Sequence, residues 1–282
     1  MEIITSPSNK IVKHIKSLHI KKNREKCGEF IASGLRLVRE ASDVSFFVFS
    51  DTIARETKNS VKELDTFQSS KYFVVSDKIF RTLCDTENPQ GIMAVVKIPK
   101  QQELSSSNSS ISESSSKLKF IILDNLQDPG NVGTIIRTAS AFGLDGVILS
   151  EDCVDVYNPK VVRSSMGSIF HIPLYRDVNI EQCTMSLKNT GCKVYAAHLD
   201  GESLTGEPIG DGSRGLSYQS PVLSHNEAGV SLIIGNEANG IRKSITQLAD
   251  TLVKIPMPGT AESLNASVAA FILMYEMFVK QN

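Results

Sequence analysis

The chain has no CxxC pair, and its five cysteines (Cys27, Cys84, Cys153, Cys183 and Cys192) and five histidines form no metal-ligand spacing. Free thiols are expected, with neither a disulfide framework nor a structural metal. There is no apolar run of the roughly 20 residues that crosses a bilayer. The longest candidate, near the C-terminus, is interrupted by Glu276. The opening "MEIITSPSNKIVKHIKS" has lysines but no hydrophobic leader segment, so the expected location is cytoplasmic, with no membrane partner. Net charge is also missing: the formal balance is −1, which by itself points to no polyanionic partner.

What is present is unevenly distributed. Over residues 1–40, nine cations (Lys10, Lys13, Lys16, Lys21, Lys22, Arg24, Lys26, Arg36, Arg39) face four anions (Glu2, Glu25, Glu29, Glu40). Such a local excess describes either a basic arm for phosphates or a solvated helix face. The 282 residues suffice for about two domains. The boundary falls at "QQELSSSNSSISESSSK", residues 101–117, a serine-dominated linker with little to bury. Residues 1–100 alternate helical patterns (10–18, 35–41, 78–83) with β-like runs "FFVFS", "YFVVS" and "IMAVVKI", a small α/β domain.

Residues 118–282 begin with "KFIILDNL", "NVGTIIRTASAF" and "GVILS", a strand, a helix stopped by Gly143 and a second strand. "CKVYAAHL", "SLIIG" and "LVKIPM" continue a mostly parallel α/β sheet. The polar, glycine-rich segment 201–229 reads as a surface insertion.

Three helix-opening or strand-ending loops of this second domain are candidates for a site, because backbone donors and strand C-termini converge there. "DPGNVGTIIR" lacks G-x-G-x-x-G and the P-loop pattern, so neither a dinucleotide nor a P-loop nucleotide is indicated. Asn131 is expected to cap its helix, and Arg137 to reach over Gly133 toward the loop. An ordinary exposed arginine explains that spacing as well. "IIGNEANGI" carries Glu237 between Gly235 and Gly240, as a functional loop or a plain turn. "MPGTAESLNAS" places Ser263, Leu264, Asn265 and Ser267 before a helix with Val268, Phe271, Ile272, Tyr275, Phe278 and Val279 on one face and Ala269, Leu273 and Met277 on the other. An all-round apolar helix is buried in its own domain or against a partner subunit.

Together the three loops resemble the SpoU/TrmH branch of the SPOUT RNA methyltransferases. The family's Asn-x-Gly-x-x-x-Arg stands as Asn131, Gly133 and Arg137. Its Gly-x-Glu-x-x-Gly stands as Gly235, Glu237 and Gly240, and its Ile-Pro-Met-x-Gly loop with Ser-Leu-Asn-x-Ser runs from Ile255 to Ala270. "NPKVVRSSMGSIFHIPLY" is similar to a further family stretch. "SPSNKIVKHIKSL", "FIASGLRLVREA" and "NPQGIMAVV" are similar to its N-terminal substrate-binding domain, which is related in fold to ribosomal RNA-binding proteins. Departures are Ser33-Gly34 in place of Glu-Gly, Ala238 in place of glycine, and the longer linker and insertion.

The resemblance implies a knotted (trefoil) C-terminal α/β domain, a homodimer, S-adenosylmethionine as cofactor without a metal, and transfer of its methyl to a ribose 2′-hydroxyl of RNA. Ribosomal RNA of the large subunit is favoured and tRNA is the alternative, with a non-catalytic RNA-binding assembly factor as a third reading. Asn131, Arg137, Glu237, Ser263 and Asn265 carry over as active-site residues. Gly235, Ile255, Met257 and Leu264 carry over to the cofactor pocket, and Lys10, Lys13, Arg36 and Arg163 to RNA. For Arg137, stabilising the developing alkoxide is preferred over acting as a base, since an arginine guanidinium holds its proton at neutral pH.

Overall fold

The computed structural model describes residues 3–60, 71–101, 117–203 and 228–280, with side chains to residue 56 in the first segment. Most of the serine-rich linker and of the 201–229 insertion lies outside the described residues. In chain order the first described elements are β1 (Ile3–Ile4), α1 (Lys10–Ser17), α2 (Lys21–Cys27), β2 (Glu29–Ser33), α3 (Leu35–Glu40), β3 (Val44–Ser50), α4 (Asp51–Ser60), β4 (Tyr72–Val75), α5 (Asp77–Leu83) and β5 (Ile92–Lys97). They are followed by β6 (Leu118–Leu123), α6 (Pro129–Ala141), β7 (Gly146–Ser150), α7 (Pro159–Ser164), β8 (Leu174–Val178), α8 (Ile180–Asn189), β9 (Cys192–Ser203), β10 (Gly229–Ile234), α9 (Lys243–Thr246), β11 (Thr251–Lys254) and α10 (Ala266–Met274).

The chain divides into two compact units: residues 1–100 with 155–171, and residues 101–154 with 172–282. In the first, a mixed five-stranded sheet runs β1-β4-β3-β5-β2. Its core joins Val12 and Ile15 of α1 and its C-cap Leu18 to Val48, Met93 and Val95 of the sheet and Ile79, Phe80 and Leu83 of α5. The segment 155–171 is fastened into this unit by polar and aromatic contacts. Arg24, only 2% exposed, donates through Nε to Asp155 (2.9 Å) and through Nη1 to the Leu18 carbonyl (2.7 Å). Phe30 packs on Tyr157 at 4.6 Å between ring centroids. Arg24 therefore leaves the basic surface set: it is buried because a carboxylate far along the chain neutralises it. A guanidinium so enclosed is tolerated only while paired, and removing one partner of such a pair costs about 3–5 kcal/mol.

In the second unit the six strands run β11-β9-β10-β6-β7-β8, every pairing parallel. The strand sequences explain this, since "FIIL", "GVILS" and "GVSLII" are near-continuous apolar runs and are buried throughout. From β6 the chain moves outward through β7 to β8, then crosses back to β9 and inserts β10 beside β6. The reversal of strand order lies between β6 and β10, where an open α/β sheet has its ligand crevice.

Helix α6 starts two residues before Asn131. Asp128 is its N-cap and accepts from the Asn131 amide at 2.8 Å, with Pro129 in the first turn. The expected capping role of Asn131 is thus corrected: a better cap stands three residues earlier, which frees the Asn131 side chain. Gly143, at φ +67, ends the helix as expected.

The C-terminal helix also differs from its expected facing. Ala266, Ala270, Leu273, Met274, Met277 and Phe278 are buried, while Val268, Phe271 and Tyr275 stand 45%, 47% and 43% exposed. Phe278 turns inward because Tyr275–Val279 form a π-helical turn, which advances each residue by less than an α-helix does.

Candidate active site

The loops leaving β6 and β10 are knitted together at the strand-order reversal. Asp124, fully buried at the end of β6, accepts from the Arg242 backbone amide (3.0 Å), Nε (2.8 Å) and Nη2 (2.7 Å). These bonds satisfy a carboxylate that burial would otherwise penalise. Through them Asp124 raises the Arg242 guanidinium above its ordinary range, the hydrogen bond being the largest cause. Asn125, in the left-handed region at φ +57, donates its amide to Ser150 Oγ at 2.9 Å. Its carbonyl accepts from Asn236 Nδ2 at 2.8 Å.

Asn236 organises the β10 loop. It exchanges backbone bonds with Gly240 (3.0 and 2.9 Å), and its Oδ1 accepts from the amides of Ala238 (2.9 Å) and Asn239 (3.1 Å). Gly240 sits at φ +66. A Cβ on Gly235 would lie 2.3 Å from Gly240 C and Ile241 N, so this loop closes only over glycine. Glu237 is carried, exposed, on that closed turn. Asn131, 7% exposed, donates Nδ2 to Glu237 Oε1 at 2.8 Å. The first and second loops of the sequence reading therefore meet through two of its predicted site residues.

Arg137 is exposed on α6, one turn beyond the buried Gly133, and its guanidinium has no hydrogen-bond or ion-pair partner among the described residues. The third loop is built differently. Ile255 and Met257 are half-buried, and Ser263 and Leu264 are exposed. Among the described residues no main-chain group from Pro256 to Leu264 is paired. Order returns at Asn265, the N-cap of α10, whose Oδ1 accepts from the Ser267 amide (3.0 Å), the Val268 amide (3.3 Å) and Ser267 Oγ (2.7 Å). Asn265 thus has a structural task that accounts for its placement, and Ser263 lies just before it.

Of the residues predicted to meet RNA, Lys10 and Lys13 are exposed on α1 and Arg36 on α3. Arg163, on α7 and grouped with the first unit, forms an ion pair with Asp85. The sequence reading missed Asp124, Asn125, Asn236 and Arg242. A charged residue closing an otherwise apolar strand, as Asp124 closes "KFIIL", was the available signal.

Comparison with known proteins places these loops in a family. The SpoU rRNA Methylase family model matches residues 119–275, and the MRM3-like substrate binding domain model matches residues 9–94. The chain belongs to the SpoU rRNA methylase family. It is 35% identical over 277 residues, 98% of this chain and 99% of the relative, to the 23S rRNA (guanosine(2553)-2′-O)-methyltransferase RlmP of Bacillus subtilis strain 168. Among solved structures, the AdoMet-bound rRNA methyltransferase of Sinorhizobium meliloti matches with a TM-score of 0.76 at 28% identity, covering 98% of this chain and 96% of that one. The SpoU methyltransferase AviRb of Streptomyces viridochromogenes, in complex with AdoMet, matches with a TM-score of 0.75 at 25% identity, covering 97% and 98%. The α/β SPOUT architecture expected for this SpoU chain, with an N-terminal substrate-binding domain, is what the structure and these relatives show.

Proposed function

We propose that this SpoU-family chain transfers a methyl group from S-adenosylmethionine to a ribose 2′-hydroxyl of large-subunit ribosomal RNA. The observation that carries the reading is the 2.8 Å bond from Asn131 to Glu237, which joins two of the three motif loops at the strand-order reversal. The identity of the RNA is supported by the Bacillus relative and the matched substrate-binding domain.

The residues present fit the cofactor. Half-buried Ile255 and Met257 give an apolar seat for the adenine, and the unpaired main chain of Pro256–Leu264 offers donors and acceptors for its edge and for the ribose and amino-acid ends. Gly235 and Leu264 belong to the same pocket. Bound there, S-adenosylmethionine would supply an electrophilic methyl on a sulfonium and leave as S-adenosylhomocysteine, the ribose oxygen taking the methyl and its proton passing to water.

A ribose hydroxyl is a weak nucleophile at neutral pH, and its difficulty is the charge that grows on oxygen. Arg137 stabilises that charge as a donor whose fork is not tied to any carboxylate among the described residues. Glu237, fixed by Asn131, orients the hydroxyl and the arginine, and Ser263 and Asn265 hold the third loop against them. Positioning of this kind supplies a large share of a barrier that involves no covalent enzyme intermediate.

On the first unit, Lys10, Lys13 and Arg36 contact phosphates, and Arg163 joins them by exchanging Asp85 for RNA. The chain takes the family's trefoil knot. It also forms a homodimer through Phe142, Val268, Phe271 and Tyr275, in which Phe271 and Tyr275 stack at 6.4 Å. Phe271→Asp is expected to give monomers in sedimentation equilibrium, and an unchanged mass would refute the interface.

The test is nucleoside mass spectrometry on separated large-subunit rRNA, small-subunit rRNA and tRNA from a strain lacking the gene and one with it restored. One 2′-O-methylnucleoside should vanish from the large-subunit fraction and return. A change confined to tRNA would redirect the substrate, and no change in any fraction would favour a non-catalytic assembly factor.

A further inference from the structure

A cleft of about 300 Å³ opens within the first unit, between the β2–α3 turn, the segment after α5 and helix α7. Its floor is apolar: Ile31, Leu83 and Val162 are buried there, and Met166 borders it. The Met166 backbone stands at φ +52, a conformation that a non-glycine side chain adopts at a cost, and such positions collect where a binding surface requires them. Its thioether is a polarisable contact for a flat ring.

The rim is polar and partly unpaired. Gly34, at φ +102, lets the Gln90 side chain come so close that Oε1 would stand 3.0 Å from a Cβ there. That oxygen accepts from the Leu35 amide at 2.8 Å. The bond fixes which way the Gln90 amide faces, and its NH₂ has no partner among the described residues. His19 Nε2 lies 2.9 Å from the Leu83 carbonyl, which only accepts, so Nε2 carries a proton, and in the Nε2–H tautomer Nδ1 is an acceptor. Arg36 is exposed, with no partner among the described residues. Cys84 lines the same cleft with its thiol pushed up to about 11 by burial, so it presents a neutral S–H there and no negative charge.

We infer that this cleft captures one unpaired nucleotide of the RNA, its base on the apolar floor, its edge read by Gln90 and His19, and its phosphate held by Arg36. The inference rests on the functional reading above. A duplex would be met by exposed cations along a convex face. A slot with an apolar floor, with Gln90, His19 and Arg36 at its rim beside the Arg163–Asp85 ion pair, suits a splayed base, the form in which RNA sequence is read. Its size accommodates one nucleobase with part of its ribose, at the lower end of the range for small-ligand pockets. The site is built wholly from residues of the first unit and contains none of the three motif loops, so it would select the RNA without taking part in the chemistry.

The experiment measures methyl transfer to 23S rRNA purified from a strain lacking the gene, with S-adenosylmethionine affinity measured separately by calorimetry. Gln90→Glu keeps the acceptor for the Leu35 amide, replaces the NH₂ donor with an acceptor oxygen and adds a negative charge, so it is compared with Asn88→Asp, which adds the same charge at the rim without touching that donor. Gln90→Glu and Arg36→Ala are each expected to raise KM for RNA roughly tenfold, with kcat within about twofold and cofactor affinity unchanged. In a second arm, Asn88→Cys at the rim, in a Cys27→Ser background, carries a benzophenone and is photo-cross-linked to the same RNA. Cross-links at one unpaired nucleotide are expected. Unchanged KM in Gln90→Glu and Arg36→Ala, or cross-links spread over helical RNA, would overturn the cleft. A wild-type chain that methylates no RNA would overturn the functional reading instead. The cross-link then decides the cleft alone: one unpaired nucleotide sustains it, and no defined position refutes it.

Discussion

The loop after β10 and the loop after β11 carry the second and third motifs of the same domain, yet they are held in opposite ways. From Asn236 to Arg242 the first is closed by backbone bonds, an asparagine that ties three neighbours, and a buried carboxylate. From Pro256 to Leu264 the second makes no main-chain hydrogen bond to any described residue. The contrast separates two jobs. On the proposed reading the closed loop holds Glu237 in place before the reaction, whereas a loop that wraps a cofactor keeps its donors unspent until the cofactor arrives.

The largest effect is expected from the arginine to which the proposed function gives the developing charge. Arg137→Ala should lower kcat for RNA methylation by roughly 10³ while leaving S-adenosylmethionine affinity within about twofold. Comparable turnover in single-turnover assays would show that the arginine is a bystander on α6. Next comes the closure of the β10 loop. Gly235→Ala forces a methyl against the Gly240–Ile241 peptide, 2.3 Å away. It should cost about 3 kcal/mol in urea denaturation and weaken cofactor binding with it. A stability unchanged within error would mean that the tied loop is not as closed as described. Glu237→Gln, which keeps the shape but removes the charge, should reduce kcat roughly tenfold with little change in stability. A loss of stability equal to that of Gly235→Ala would assign Glu237 to structure.

The smallest and most direct probe of the contrast is hydrogen exchange. Amides of Ala238, Asn239 and Gly240 should be protected without ligand. Those of Gly259–Leu264 should exchange near the free rate and slow only when S-adenosylmethionine is added. Equal protection in the two loops without cofactor would dissolve the distinction.

The elements that were legible in the sequence are those whose pattern is local. "KFIIL", "GVILS" and "SLII" announce buried parallel strands by continuous hydrophobicity, and Gly143 announces a helix end. β2 and α8 were not singled out, because "EFIAS" is short and "IEQCTMSLKN" mixes polar residues into its apolar stripe. Where a residue's role depends on a distant partner, the sequence was silent. Arg24 looks like surface charge until Asp155, 131 positions on, is seen to bury it. Asp124 and Arg242 are 118 positions apart and nothing local joins them. Asn131 shows both sides. Its place in a motif was readable, but its bond to Glu237 required the sheet order that brings β6 beside β10.

One measurement bears most directly on the account. Purified protein would be incubated with unmethylated 23S rRNA and S-adenosylmethionine labelled in the methyl group, and the product digested to nucleosides. The account predicts label on a single nucleoside, on its ribose 2′-oxygen, in wild type and not in Arg137→Ala. Label on a base, or equal label in both proteins, would contradict it.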